Sequence, residues 1–152
     1  MKTIRAATAQ DLEFLAISSL EEGKKSVPFD TDMDKLRANL EFYCFNHDAR
    51  LMVVCDDDQL CGYFASTISR IPQWNDDVLL AIEMLFYVLP KYRLTRVAHM
   101  LMTDFIEWSK EMNCTFAMVS SRAALNGDAV GKFYNRFGFE AMDTNYTLRL
   151  QP

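Results

Sequence analysis

At 152 residues, half of them hydrophobic and 12% aromatic, the chain is long enough for one folded core; a formal net charge of −5 argues against nonspecific binding to nucleic acid or anionic membranes. It has no apolar run long enough to span a bilayer, no repeat and no low-complexity tract, and its opening MKTIRAATAQDLEFL lacks the apolar core of a signal peptide. A single domain over residues 1–152, soluble and cytoplasmic, is expected, and any anionic ligand must be gripped locally.

Taken in order, Thr3 to Ala7 predicts a short strand, and Thr8 is placed to cap a helix running to about Glu22, with Leu12, Phe14, Leu15, Ile17 and Leu20 on its buried side and Gly23 ending it. A polar loop broken by Pro28 leads to a second helix from about Thr31 to Asn46, with Leu36, Leu40, Tyr43 and Cys44 at helical spacing. Arg50 to Cys55 and Leu60 to Ser69 read as strands joined by the short turn Asp56-Asp57-Asp58-Gln59, an antiparallel hairpin. Ile71 to Asp77, with Pro72 and Trp74, loops over to the next strand.

That strand, Met84 to Leu89, is a run of bulky apolar residues of the kind a sheet buries on both faces. Pro90 has no N–H for the ladder and keeps Leu89 extended, so the chain leaves the sheet there. Thr95 is a plausible cap for a helix carrying Val97, Leu101 and Phe105 on one row and Ala98, Met102 and Ile106 on the next. Between strand and helix lie Lys91, Arg93 and Arg96, three cations in six residues. A helix start presents unpaired N–H groups and a partial positive charge, so a basic turn at this point suits an anion such as a pyrophosphate; an ordinary connection with solvated charges accounts for it equally.

The helix fades at Met112-Asn113, and Thr115 to Val119 is another apolar strand, completing a crossover unit that makes the two strands parallel. A polar loop from Ser120 to Asn126, a short helix from Asp128 to Arg136 ended by Gly138, and strands at Phe139 to Met142 and Tyr146 to Leu150 complete a mixed α/β sheet. The four cysteines, 44, 55, 61 and 114, lack C-x-x-C spacing and the two histidines are remote from them in sequence, so no metal is expected and the thiols are read as reduced and buried. Gly127 to Lys132 imitates a P-loop but is one residue short, with Phe133 where the metal-binding hydroxyl belongs.

This order of elements resembles the GNAT superfamily of N-acetyltransferases, and three motifs carry the resemblance. IRAATAQDLEFL resembles the family's Ile-Arg strand and Asp-Leu helix start; VLPKYRLTRVAHML resembles its acetyl-CoA motif, Val-x-Pro-x-x-Arg with a loop R/Q-x-x-G-x-G/A; ALNGDAVGKFYNRFGFEAM resembles its Asn, Phe-Tyr and Gly-Phe series. The fold implied is a central, mostly antiparallel sheet with one parallel splayed pair, flanked by helices. The activity implied is direct transfer of an acetyl group from acetyl-CoA, as co-substrate, to a primary amine. The loop Arg93, Leu94, Thr95, Arg96, Val97 and Ala98 would then hold the pyrophosphate and Asn126 the pantetheine arm, with an N–H from around Tyr87 and Val88 facing the thioester oxygen. One position departs from the pattern: Arg96 stands where the family usually has Gly. Either the loop keeps its shape and Arg96 adds a cation at the phosphates, or its side chain obstructs the site and leaves a non-catalytic binding protein of the same fold.

Two catalytic roles follow from the resemblance. Glu83 matches, to within a residue of spacing, the base of the histone-acetyltransferase branch, and Tyr134 matches the general acid that protonates the departing thiolate. The plainer readings are a glutamate at a strand end and a packing tyrosine on an amphipathic helix. For the acceptor, the resemblance points to the loop with Phe29, Asp30, Asp32 and Asp34 and to the hairpin Asp143, Thr144 and Asn145, which would suit a cationic amine; capping aspartates are the alternative. Trp74 could serve as a lid. A homodimer through sheet edges or a methionine-rich surface is compatible with either function.

Overall fold

Strand β2, Ala49–Asp56, is buried along nearly its whole length rather than on alternate residues, which requires cover on both faces of the sheet. The computed structural model describes residues 1–27, 29–71, 75–121 and 127–151 and supplies that cover. The chain divides into two units, Met1–Ser120 and Ser121–Pro152.

In the first unit the order is β1 (Lys2–Ala6), α1 (Leu12–Ser26), α2 (Met33–Phe45), β2, β3 (Gln59–Ile71), β4 (Asn75–Val88), a 3₁₀ turn Pro90–Tyr92, α3 (Val97–Glu111) and β5 (Phe116–Met118). The strands lie in the order β1-β2-β3-β4-β5. The first three pairings are antiparallel and β4–β5 is parallel, as a strand–helix–strand crossover dictates. One face of the sheet buries Leu51, Val53, Cys55, Tyr63 and Ala65 against Leu15 and Ala16 of α1 and Leu40 and Tyr43 of α2. On the face toward α3, Phe64 meets Phe105 at 4.7 Å and Phe86 at 5.1 Å between ring centroids. Val97, Leu101 and Phe105 of α3, the row predicted from helical spacing, are fully or almost fully buried, as is Met102 of the next row.

Several local signals behave differently from expectation. Thr8 does not cap α1; its N–H and hydroxyl both donate to Asp11 Oδ2, at 2.7 and 3.0 Å, and Asp11 is the cap position. Gly23 does not end α1, which continues to Ser26, because the ladder carries on through its carbonyl to Val27 N–H (3.0 Å). The hairpin turn forms as predicted, with Asp57 at φ 52°, a conformation aspartate tolerates better than most residues. All four cysteines are free, and burial raises the thiol pKa of Cys44, Cys55 and Cys114, which suits inert packing thiols.

The second unit contains α4, Gly127–Arg136. Gly138, at φ 90°, turns the chain out of it, with Gly138 N–H on Asn135 C=O (3.1 Å) and Phe139 N–H on Tyr134 C=O (3.3 Å). The strands expected at Phe139 to Met142 and Tyr146 to Leu150 are not formed: residues 139–151 carry no strand, and Met142, Tyr146, Leu148 and Leu150 are 79–92% exposed. The alternation of Tyr146, Leu148 and Leu150 is genuine, but a strand exists only where a ladder partner accepts it, and sequence alternation does not supply one.

The entry from β1 into α1 hangs on one carboxylate. Arg5 Nη1 and Nη2 grip Asp11 at 2.7 and 3.0 Å, and together with the Thr8 donors this lowers the Asp11 pKa to about 2. A depressed pKa contributes stability that is present above the unfolded value near 4 and is lost as pH falls toward 2. Arg5 is about half exposed, so solvent screening limits the gain to about 1–2 kcal/mol. Asp11→Asn should therefore lower stability by that amount at pH 7, and the gap to wild type should close between pH 4 and pH 2 in parallel urea titrations.

Candidate active site

The parallel pairing of β4 with β5 is brief: Leu80↔Phe116, Ala81↔Ala117 and Ile82↔Met118. Beyond Ile82 the two strands separate. From Glu83 to Val88, the only ladder partner of β4 among the described residues is β3. On the side away from β3, no strand among the described residues pairs with β4 where it runs toward the basic turn.

Hydrogen bonding identifies which groups face that side. Leu89 N–H donates to Cys61 C=O of β3 at 2.9 Å. Because N–H and C=O point to alternate sides along an antiparallel strand, Tyr87 turns its backbone groups toward β3 while Phe86 and Val88 turn theirs away from it. Arg93 confirms the orientation of Val88, for its Nε donates to the Val88 carbonyl at 3.2 Å. Its guanidinium also lies 5.6 Å from the ring centroid of Tyr87. Of the two residues singled out for an N–H on the side away from β3, alternation gives that position to Val88; Tyr87 contributes its ring, which packs on Tyr63 at 5.6 Å.

Glu83 stands where the strands part. It is half-buried, and its Oε2 accepts the N–H of Ser120, just past β5, at 3.0 Å. Near the opposite end of this stretch of β4, Gly62 of β3 pairs with Val88 and lies beneath the start of α3. A Cβ on Gly62 would come within 2.8 Å of both Tyr87 O and Val97 Cγ1. The absence of a side chain there lets the first residue of α3 rest on the sheet.

The turn itself is built of small constraints. Thr95 Oγ1 donates to Tyr92 C=O (2.7 Å) and accepts the Val97 N–H at 3.4 Å. Helical bonding starts with Met100 N–H on Arg96 C=O at 2.9 Å, so Arg96 rather than Thr95 is the cap position. The N–H of Ala98 lies ahead of the ladder and has no partner among the described residues. Leu94 is fully exposed at the tip, and Val97 is fully buried, so Val97 can offer a ligand its backbone only. Arg96 has φ −71° and ψ −5°, ordinary right-handed backbone, so no glycine is required for the loop to keep its shape. Its side chain lines cavities bordered by Met1, Lys2 and Ile4, at the β1 edge of the sheet, the opposite edge from β5.

Of the other candidates, Tyr134 is the buried residue of α4, its ring centroid 5.9 Å from those of both Phe133 and Phe139. Asn126, Trp74 and Pro28 lie outside the described residues. Asp32 accepts from the N–H groups of Asp34 and Lys35, capping α2, and Asp34 pairs with Arg37 at 3.4 Å. Two of the three acidic residues proposed for the acceptor are therefore helix-end groups. Phe29 is 70% exposed beside them. Sequence reading missed Tyr63, a fully buried tyrosine whose hydroxyl meets Ser19 (3.0 Å) and Ser18 (3.3 Å); burial raises its pKa. Its alternation with Phe64 marked a strand, but nothing local marked the serines it would meet.

The family pattern of the acetyltransferase (GNAT) family matches residues 14–139. The chain belongs to that family. Its architecture is that of GNAT acetyltransferases, and its activity class is that of an acyltransferase. A predicted acetyltransferase from Clostridium acetobutylicum solved with acetyl-CoA has 18% identity and a TM-score of 0.78, with 99% of this chain and 97% of that chain covered. AAC(6')-Iy in complex with the bisubstrate analogue CoA-S-monomethyl-acetylneamine has 19% identity and a TM-score of 0.75, with 100% and 99% covered. A transcriptional regulator from Bacillus halodurans C-125 has 22% identity and a TM-score of 0.79, with 99% and 100% covered. At these identities the structures speak for the shared GNAT fold. No curated protein matches the sequence. Among the described residues, no group of three or more His, Cys, Asp or Glu could hold a metal, and no helix is long and apolar enough to cross a membrane.

The Gly62 contact carries a direct test of how α3 is seated. In Gly62→Ala the new methyl must displace either Tyr87 O, which is backbone, or Val97, which is packed, at a cost of about 1–3 kcal/mol. Chemical denaturation should show that loss, and amide exchange should rise first at residues 95–98.

Proposed function

We propose that this GNAT protein transfers an acetyl group directly from acetyl-CoA to a primary amine, and that it acts as one domain over residues 1–152. The observation that carries the reading is the parting of β5 from β4 past Ile82, which leaves β3 the only ladder partner of Glu83 to Val88 among the described residues, with a carboxylate at one end and the turn into α3 at the other. The family match from residue 14 to 139 crosses the division between the two units, which supports treating them as one functional domain.

The side of β4 away from β3 suits an extended amide-bearing arm, because exposed strand groups accept such a segment as an added strand. Backbone groups along the outer side of β4 would bond the pantetheine arm, Asn126 would assist, and the turn Arg93, Leu94, Thr95, Arg96, Val97 and Ala98 would receive the pyrophosphate, chiefly through N–H groups such as that of Ala98. Arg96 in the place of glycine is compatible with this, since its backbone is unstrained and its side chain lines the β1 side. Acetyl-CoA, when bound, supplies an activated acyl thioester. The amine must first lose a proton, since an alkyl ammonium with pKa about 10.4 has no lone pair at neutral pH. Glu83 would accept that proton, directly or through water, from a position fixed by the Ser120 N–H. The Val88 N–H would face the thioester oxygen as negative charge builds there. As the C–N bond forms and the C–S bond breaks, the Tyr134 hydroxyl would give its proton to the leaving sulfur, and the proton shed by the acylated nitrogen would, through water, restore the hydroxyl. The acceptor is an unidentified small molecule or protein amine. Asp32 and Asp34 are not proposed to recognise it, because both are engaged at α2.

A saturating titration at about 100 times Kd should raise Tm by about 5–10 °C with acetyl-CoA, and an amine panel should release free thiol in step with acetylated product. No stabilisation at millimolar acetyl-CoA would leave the chain a non-catalytic member of its fold. Glu83→Gln keeps an oxygen for the Ser120 N–H, and Tyr134→Phe keeps the ring packing. Each should lower turnover about 100-fold while leaving acetyl-CoA affinity within a factor of two or so. A rate equal to wild type removes that residue from the chemistry.

A further inference from the structure

The face of α3 turned away from the sheet carries Arg96, Met100, Thr103 and Glu107, which stand in one row over about 16 Å of helix. His99 and Asp104 flank the row. All six side chains are partly or fully exposed, whereas Val97, Leu101, Phe105 and Trp108 are buried on the opposite face. The six also line a cavity of about 330 Å³, and a second of about 250 Å³ shares Arg96 and Met100 with it, so that one groove runs between α3 and Lys2 and Ile4 of β1. The groove is positive at the Arg96 end and negative at the Glu107 end. Neither Arg96 nor Glu107 has a hydrogen bond or ion pair among the described residues, whereas Asp104 is held by two bonds of 2.8 Å from Arg50.

The row is its own complement when reversed. A two-fold axis crossing α3 midway between residues 101 and 102 exchanges Arg96 with Glu107, His99 with Asp104, and Met100 with Thr103. We infer that α3 of a second copy of this chain lies antiparallel along the groove, forming a two-fold dimer. Arg96 of each protomer pairs with Glu107 of the partner subunit, His99 stands beside Asp104 of the partner subunit, and Met100 packs on Thr103 of the partner subunit. Under that symmetry every contact is made twice. A parallel arrangement would set Arg96 on Arg96 and Glu107 on Glu107, so charge alone selects the antiparallel one. A uniformly acidic or basic partner would satisfy only one end of the groove. A helix with a cation and an anion three turns apart satisfies both, and α3 is itself such a helix. At the centre Met100, an adaptable side chain, meets Ile4 and the Thr103 methyl across an apolar stretch. Glycine at position 96 would leave the partner's Glu107 without its cation, so the contact uses this chain's departure from the family pattern. It engages the Arg96 side chain and leaves the N–H groups of the turn untouched, and it does not depend on the acetyl-CoA reading.

The test is sedimentation equilibrium of the full chain from about 1 to 100 µM at low ionic strength, the range in which a contact of modest area with paired charges associates. Wild type should approach twice 17.6 kDa at the upper end. Glu107→Arg and Arg96→Glu each set like charges together at both ends and should weaken association about 100-fold or more. Arg96→Glu combined with Glu107→Arg restores opposite pairs and should return to within about tenfold of wild type, a recovery that misfolding of the single variants would not allow. A wild type that stays at 17.6 kDa throughout, a dimer that survives both single changes, or a double variant no better than the singles overturns the proposal.

Discussion

The N–H and C=O groups of a sheet strand must all be answered by something, and β4 between Glu83 and Val88, whose only ladder partner among the described residues is β3, imposes that requirement on everything around it. The requirement arises because β5 pairs with β4 over only three residues and then departs. Glu83 takes the Ser120 N–H at the point of separation, which ties the departing chain back to β4 across the gap. Arg93 takes the Val88 carbonyl at the other end. Between these two contacts, no second strand among the described residues pairs with β4.

The second requirement is that α3 begin immediately beyond that stretch of strand, and this is a packing condition rather than an electrostatic one. Val97 can lie over the β3–β4 pair only because residue 62 has no side chain, and the tightest atoms it would meet include the backbone oxygen of Tyr87 itself. From that contact the buried row Val97, Leu101 and Phe105 continues onto Phe64, so the core under α3 and the position of the turn are set together. Arg50 on Asp104 fixes the same helix to β2 further along. The turn is then closed locally by the Thr95 hydroxyl, which bonds in both directions.

Features that depend on near neighbours in sequence were legible before the structure. Pro90 stops a strand by lacking an N–H, Asp57 allows a two-residue hairpin, and Gly138 takes the positive φ that ends α4. The family motifs were legible for the same reason, since each is contiguous. What sequence could not supply were facts about partners. Gly23 carries the usual signal for a helix end, yet the ladder passes through it. Thr8 and Asp11 are both capping residues, and only the reach of Arg5 across from β1 decides that the carboxylate is the hub. The C-terminal alternation of Tyr146, Leu148 and Leu150 announces a strand without providing its ladder. Gly62 stood in a strand with nothing to show that a helix start would press on it.

The three cations of the turn illustrate the limit most clearly. In sequence, Lys91, Arg93 and Arg96 form one basic patch, and it is natural to sum their charges over a single anion. In space they are dispersed. Lys91 bonds Gln59 at 3.1 Å and lies 4.7 Å over the Tyr92 ring, Arg93 is turned back onto Val88 and Tyr87, and Arg96 lines the β1 groove. Two of the three are therefore spent on holding the strand end and the turn in place. What stands ahead of the α3 ladder at the end of the turn is the Ala98 N–H, unbonded among the described residues, at the helix end that carries a partial positive charge. This also explains why an arginine is tolerated where the family prefers glycine: with φ at −71° the backbone does not need glycine, and with its side chain on the β1 side Arg96 stays away from the outer side of β4.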